Sequence, residues 1–428
     1  MQVHLSALGC RLNEAEIQTW GQEFGHHGWQ MTRKPETADL IVINTCAVTG
    51  EAARKSRQHI RKFHRSNPKA KLIVTGCYAS LEQQQAEELL GVDLIVPNQQ
   101  KDQLVTQVLE SLDLTSMPTM ATEPDETALF PRGRDRAFIK IQDGCRYRCT
   151  YCIVTVARGE ERSRTLEDIA QEVKSHVSRG IQEIVLAGVH VGGYGSDLDV
   201  SLHDLVVYLL ENTSVPRIRF ASVEPWDLPP NFFELFKNPR VMPHMHLPIQ
   251  SGSDSVLRRM SRRCKTTEFA ELIRLAKEQV PSFNVTTDLI VGFPGETEEE
   301  WQQTLEFVKG MPFGHMHIFS FSPREGTKAA RLPNQLDKNL KKQRSQQLHA
   351  LAHNIKNTIL QNMVGQRVEV LWESDFDEID GKVNRFYGHT ENFHKIAIDL
   401  PINGPKIQGQ VAVCEVASVM DERVLLMA

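Results

Sequence analysis

Six of the chain's eight cysteines fall into two triplets, each tied to the end of a strand-like run. Cys145, Cys149 and Cys152 form a compact C-x-x-x-C-x-x-C in IKIQDGCRYRCTYCIV. Cys10, Cys46 and Cys77 lie far apart, yet they follow the short apolar runs VHLSAL, LIVINT and KLIVTG. Such runs, separated by polar helical stretches, predict a parallel sheet with helices on its faces. Open α/β sheets gather ligands at the carboxyl ends of their strands, where these three thiols would sit. The bland alternative is three buried structural cysteines, since Cys is often buried. A four-iron cluster normally takes four cysteines, so a triplet leaves one iron open for chemistry. Zinc is the other candidate metal, but a closed zinc site wants four protein ligands, and neither His176 nor His190 has motif spacing.

The surroundings suit metal binding better than disulfides. MQVHLSALGC lacks a basic n-region and a cleavage site, so no signal peptide is expected. No apolar run reaches the ~18 residues of a membrane span. These features predict a cytoplasmic protein, where clustered cysteines more often hold metal. The net charge of −5 does not by itself point to nucleic acid.

With 428 residues, two or three domains are expected. Residues 1–112 read as a Rossmann-like α/β domain with a fourth run, DLIVP. Residues 113–135, rich in Pro, Thr and charge, read as a linker. From 136 to 333, six further strand candidates alternate with helices: AFIKIQ, EIVLAG, RIRFASV, HMHLPI, NVTTDLIVGF and HMHIFSF. Six βα units are too few for the usual eight-stranded barrel, so a partial (βα)6 barrel is expected. A long polar helix follows over 334–363, and 364–428 read as a small all-β barrel. Cys414 is expected in its core.

The compact triplet at the end of a first barrel strand, with Tyr151 before its last cysteine, resembles the radical S-adenosylmethionine (SAM) superfamily. LGCRLNEAE, NTCAVT, TGCYA, ARGEERSR, SVEP, LPIQSGSDSVLRRM and GFPGETEEE narrow the resemblance to its methylthiotransferases, and GHTENFHKIAI resembles a TRAM module. The resemblance implies two [4Fe-4S] clusters as cofactors. One, on Cys145, Cys149 and Cys152, binds SAM at its open iron and generates a 5′-deoxyadenosyl radical. The other, on Cys10, Cys46 and Cys77, supplies or relays sulfur. Within that family, LGCRLNEAE with RAFIKIQDGC most resembles the MtaB-type branch, which acts on threonylcarbamoyl-adenosine next to the tRNA anticodon. Thr155-Val156 and Cys264 depart from the family's usual residues without removing a ligand.

Beyond the cysteines, ligands of a parallel barrel meet residues at strand ends. Tyr151, Gly188, Ser222, Glu224, Gln250 and Asp288 are the candidates for binding SAM or the target base, with Gly193 and Ser251 beside them. Ordinary loop polarity is the alternative. Arg258, Arg259, Arg262 and Arg263 could meet a carboxylate or phosphate, or simply form a solvated face. RKSRQHIRKFHR, residues 54–65, could neutralise RNA phosphates. ESDFDEID, residues 373–380, reads as an acidic loop that would repel RNA.

The expected function is methylthio transfer to carbon 2 of threonylcarbamoyl-adenosine in tRNA, with SAM and an electron donor such as flavodoxin or ferredoxin as partners and no membrane. Alternatives are an isopentenyl-adenosine substrate or an aspartate of a ribosomal protein. A non-catalytic iron–sulfur RNA-binding protein belongs to a different class and predicts no SAM cleavage on reduction.

Overall fold

The computed structural model describes residues 1–112, 135–229 and 231–420, with the backbone of Arg423–Leu426. The expected linker therefore lies outside the described residues, apart from Asp135. The chain divides into two compact units that do not follow chain order. One joins the N-terminal residues to Asp143–Glu161 and Ser322–Ala330. The other holds the segment ending at Gln142, then Arg162–Phe321 and Arg331–Ala428.

The first unit is built on five parallel strands, β1 (Gln2–Ala7), β2 (Gln30–Met31), β3 (Leu40–Thr45), β4 (Lys71–Gly76) and β5 (Leu94–Val96), in the order β2-β1-β3-β4-β5. The two-residue edge strand β2 is too short to leave a sequence signal. Every residue of β3 is buried, because helices cover both faces of the sheet. Alternation splits its neighbours into two cores: Ile41, Ile43, Leu72 and Val74 enter one, and Leu40, Val42 and Ile73 the other. Helix α1 spans Arg11–His26 and α2 spans Gly50–Ser66. The Thr49 hydroxyl accepts from Ala52 N at 3.1 Å and caps α2, a contact worth ~1 kcal/mol.

The second unit carries the six expected barrel strands: β6 (Arg136–Lys140), β9 (Glu183–Ala187), β10 (Arg217–Phe220), β11 (His244–His246), β12 (Asn284–Val291) and β13 (Phe313–Ser320). Two short strands, β7 (Gln142–Asp143) and β8 (Arg162–Ser163), fall between β6 and β9 in sequence. The six form two three-stranded parallel sheets, β10-β9-β6 and β11-β12-β13. Parallel bridges Ile218↔Val241 and Ser222↔His246 stitch the halves into an open barrel. Its outer face packs Ile184, Leu186, Val285 and Leu289 into one large core with the surrounding helices.

A long helix, Lys338–Gln361, packs on β13, and a closed five-stranded barrel follows. Its strands are β14 (Arg367–Ile379), β15 (Val383–Thr390), β16 (Lys395–Pro401), β17 (Val411–Met420) and β18 (Arg423–Leu426). The segment 373–380, read above as an acidic loop, is mostly strand: β14 runs through Ile379 and pairs with β15. Two of its acids have partners that sequence could not show. Glu373 accepts from Arg136 Nη2 at 2.6 Å, and Asp377 from the Tyr387 hydroxyl at 2.6 Å. Cys414 is half-buried against this barrel's core.

Glu183 is the ionic hub of this unit. It is 1% exposed and accepts from Arg217 Nε at 3.0 Å and Arg219 Nε at 2.9 Å, with Arg136 Nε at 3.3 Å. The same arginines reach the small barrel, Arg217 at Glu369 (2.9 Å) and Arg219 at the Glu391 carbonyl (3.2 Å). Burial pushes the Glu183 carboxyl up, but Arg219, Arg136 and Arg217 outweigh it and hold the group well below the usual carboxylate range.

Candidate iron–sulfur and SAM site

Both cysteine triplets belong to the first compact unit. Cys10 occupies the residue before α1, after β1, Cys46 follows β3 and Cys77 follows β4. Two glycines let these strand ends converge. Gly9 has φ +97°, and a Cβ on it would lie 2.7 Å from Cys46 Sγ. Gly76 has φ +99°, and a Cβ there would lie 2.3 Å from the Thr45 carbonyl oxygen. Only glycine tolerates both constraints. The Cys10 thiol lies 3.6 Å from Asn13 Oδ1, and Asn98 Nδ2 lies 3.8 Å from Cys77 Sγ.

This donor set fits a metal cluster. Burial pushes the Cys46 thiol up to about 11, and neighbouring Cys77 and Cys10 add to the rise. A thiol whose ionisation burial and neighbouring sulfurs disfavour becomes a good ligand only when a cation offsets its charge. All eight cysteines are free thiols.

Behind the triplet lies a buried polar network. Arg158, 2% exposed, donates to Glu16 Oε1 at 3.0 Å, to Asp143 Oδ1 at 3.0 Å and to Asn13 Oδ1 at 2.8 Å. Lys101, 1% exposed, donates to Glu16 Oε2 at 2.7 Å and Asn44 Oδ1 at 3.0 Å. Two cations meet two carboxylates, so the network is balanced before any cluster is added. Arg158 also feels the charges of Cys77 and Cys10. It comes from ARGEERSR, just after the compact triplet, and Glu16 and Asn13 come from LGCRLNEAE, just after Cys10.

The compact triplet sits on a loop closed by backbone contacts. Cys145 N donates to the Gly159 carbonyl at 3.1 Å and Cys152 N to the Cys149 carbonyl at 3.0 Å. Gly144, at φ +73°, has no room for a side chain: a Cβ would lie 1.9 Å from the Glu160 carbonyl oxygen. Thr155 explains itself here, because its hydroxyl donates to the Tyr147 carbonyl at 2.9 Å and ties the loop's two ends. Tyr151 is half-buried in the same loop.

The other SAM candidates line strand ends of the second unit. A Cβ on Gly188 would lie 2.9 Å from Gln142 Oε1, an oxygen that accepts from His190 N at 2.9 Å. Ser222 is half-buried and bridges to His246. Burial raises the Glu224 carboxyl above its ordinary value. Among the described residues its Oε2 has no hydrogen-bond partner, with His190 Nε2 at 3.6 Å. Such an orphaned, buried acceptor suits the amine or ribose hydroxyls of SAM. Gln250 holds a left-handed φ of +81° and is 8% exposed, a strained backbone of the kind found at ligand sites. Asp288 is half-buried with His246 Nε2 at 3.2 Å.

Among the described residues, Arg259 and Arg262 are already engaged. Arg259 grips Glu300 through two bonds, at 2.7 and 2.6 Å, and Arg262 lies 4.2 Å over the Trp226 ring. Arg258 and Arg263 remain exposed. On α2, Arg54, Lys55, Arg61, Lys62 and Arg65 are exposed, whereas Arg57 turns to Glu82 at 3.3 Å.

Sequence reasoning missed His246 and His317, whose ligand atoms lie with that of Asp288 within 4.8 Å of one another. The signal was the H-x-H repeat in both HMHLPI and HMHIFSF, which puts two histidines on one face of a strand. His190, set aside above for lack of motif spacing, is 0% exposed, with Nε2 2.6 Å from Asp227.

Comparison with known proteins agrees with this arrangement. Residues 139–308 match the Radical SAM superfamily, and residues 2–97 match the uncharacterized protein family UPF0004. The chain is 36% identical over 92% of its length to a threonylcarbamoyladenosine tRNA methylthiotransferase MtaB of Bacillus subtilis, covering 89% of that protein. With a Chlamydia pneumoniae protein of the same name, identity is 33% over 98% of the chain and 95% of the relative. A tRNA-2-methylthio-N(6)-dimethylallyladenosine synthase of Anoxybacillus flavithermus is 36% identical over 87% of the chain and 73% of its own length. The fold is shared with the radical SAM methyltransferase TsrM of Kitasatospora setae, at TM-score 0.56 and 13% identity, covering 77% of each chain. The chain therefore belongs to the radical SAM methylthiotransferases, as a member of their MtaB-type branch.

Proposed function

We propose that the protein adds a methylthio group to carbon 2 of threonylcarbamoyl-adenosine next to the anticodon of tRNA. The observation that carries this is the pair of complete cysteine triplets, each shaped by glycines with no room for a side chain. We assign Cys145, Cys149 and Cys152 to one [4Fe-4S] cluster and Cys10, Cys46 and Cys77 to the other. Together with SAM, these clusters supply radical hydrogen abstraction and the transferred sulfur and methyl groups. The chain's residues do the rest. Arg158 and Lys101 keep the ground behind Cys10 and Cys77 electrically balanced. Glu224 offers an acceptor to SAM, Gln250 holds its strand end in a bound-ready conformation, and Gly188 and Ser222 leave room beside it. Asp288, with His246, faces the inside of the open barrel.

The exposed cations of α2 are assigned to tRNA phosphates. The electron donor is a flavodoxin or ferredoxin, and the setting is cytoplasmic, in keeping with reduced thiols. Among the described residues no helix is long and apolar enough to cross a membrane. An isopentenyl-adenosine substrate is the second reading, favoured by the 36% identity to the dimethylallyladenosine synthase. In the acidic stretch Glu373 and Asp377 have partners, and Asp375, Glu378 and Asp380 are exposed.

The test is anaerobic reconstitution with iron and sulfide, then reduction with dithionite in the presence of SAM and tRNA. The expected products are 2-methylthio-threonylcarbamoyl-adenosine and 5′-deoxyadenosine. A reconstituted protein that cleaves SAM but leaves this nucleoside unchanged would overturn the substrate assignment.

A further inference from the structure

The three cysteines that follow β1, β3 and β4 do not receive their hydrogen bonds in the same way. The backbone N–H of Asn13 faces the Cys10 sulfur, and that of Val48 faces the Cys46 sulfur. Any residue but proline supplies such a donor. Cys77 takes a side-chain donor instead: Asn98 Nδ2 lies 3.8 Å from its Sγ.

Asn98 is held for this contact from several sides. It is 2% exposed and stands just after β5, beyond Pro97. Its backbone N donates to Ser80 Oγ at 2.9 Å, and Ser80 Oγ donates to the Gly76 carbonyl at 3.1 Å, beside Cys77 itself. Its Nδ2 donates to the Ala157 carbonyl at 2.8 Å. A carbonyl only accepts, so Ala157 fixes which end of the amide is the nitrogen. That nitrogen carries two protons, one for Ala157 and one for Cys77. Asn98 Oδ1 is buried with no hydrogen-bond partner among the described residues. An unpaired buried acceptor is costly, so the fold keeps this side chain for its donors. Ala157 in turn precedes Arg158, which feels the charges of Cys77 and Cys10.

We infer that Asn98 is a positioning residue that raises the reduction potential of the cluster on Cys10, Cys46 and Cys77. The inference rests on the cluster assignment proposed above. As a ligand Cys77 is a thiolate, and a hydrogen bond to an ionised acceptor is a strong one. By drawing charge from that sulfur, Asn98 offsets the electron that enters on reduction, and hydrogen bonds to the sulfurs are among the levers that set cluster potentials. One electron enters from the external donor, and no bond forms or breaks. A residue kept only to hold Ala157 would change stability and leave the potential alone.

The test uses the reconstituted full chain carrying C145A, C149A and C152A, so that the remaining cluster is read by itself. Iron content and an EPR-monitored reductive titration compare this parent with the same chain carrying N98L, which keeps the volume and removes the donor. At the parent's midpoint, the oxidised-to-reduced ratio in N98L is expected to rise about tenfold, the loss of one charge-assisted hydrogen bond. That is a midpoint lower by about 59 mV for a one-electron couple. An unchanged midpoint in N98L overturns the inference. If N98L does not retain iron, the bond is read in the parent grown on asparagine labelled with nitrogen-15 at the side-chain amide. A nitrogen-15 coupling to the reduced cluster is expected, and its absence overturns the inference. Asn13 does not confuse this reading, because its Nδ2 is turned to the Leu8 and Thr45 carbonyls. If the parent itself holds no iron, it is the cluster assignment that fails, and the inference falls with it.

Discussion

Arg158 donates to Glu16 at 3.0 Å with both side chains within 3% of full burial. These residues are far apart in sequence, and each lies just downstream of one cysteine triplet. The bond therefore ties the segment after Cys152 to the helix after Cys10. Removing one partner of a buried pair costs ~3–5 kcal/mol, because the other charge is left uncompensated. R158A is expected to lower unfolding stability by that amount, and R158K by less. Denaturant titration checks this, and a loss below ~1 kcal/mol in R158A would contradict the network's role.

Iron content separates the two triplets. The reconstituted protein should hold about eight irons per chain, two four-iron clusters. A triple alanine variant at Cys10, Cys46 and Cys77 should hold about four and still cleave SAM on reduction. The corresponding variant at Cys145, Cys149 and Cys152 should also hold about four but leave SAM intact. Iron assays and 5′-deoxyadenosine release read the two outcomes directly.

Gly144→Ala makes the same point through the backbone. The φ of +73° and the 1.9 Å approach to the Glu160 carbonyl leave no place for a methyl group. The variant should lose the compact cluster's share of iron while keeping the other's. Full iron content in G144A would show that the loop is looser than its geometry implies.

Glu183 sets an acid limb. Its carboxyl is held well below the ordinary 4.5 in the folded state by Arg219, Arg136 and Arg217, which outweigh burial. A depressed acid stabilises the fold fully above its unfolded value and loses that contribution as pH falls through its folded value. Stability should therefore decline from about pH 4.5 downward, and E183Q should flatten that decline while lowering stability at neutral pH. Thermal midpoints from pH 3 to 7 provide the measurement.

Much of this was legible in sequence, for identifiable reasons. LIVINT and KLIVTG read as strands because buried parallel strands are continuously apolar. Cys46 and Cys77 follow them without a gap, so their place at the strand ends came with the strands. The six barrel strands were equally plain. What stayed hidden is pairing across long separations. Glu16, Asp143, Lys101 and Arg158 look like ordinary surface charges until the fold brings them together. ESDFDEID looked like a loop because acids are rare in strands. Tyr387 satisfies Asp377 across the β14–β15 pair, and Arg136 satisfies Glu373 from a distant position. The histidines of β11 and β13 were visible as repeats, but only sheet register put His317 opposite Asp288.

The most direct test is nucleoside mass spectrometry of tRNA from a strain lacking this gene, beside its parent. Loss of 2-methylthio-threonylcarbamoyl-adenosine, with threonylcarbamoyl-adenosine accumulating and isopentenyl-type nucleosides unchanged, is the predicted result. An unchanged level of the methylthiolated nucleoside would contradict the central claim.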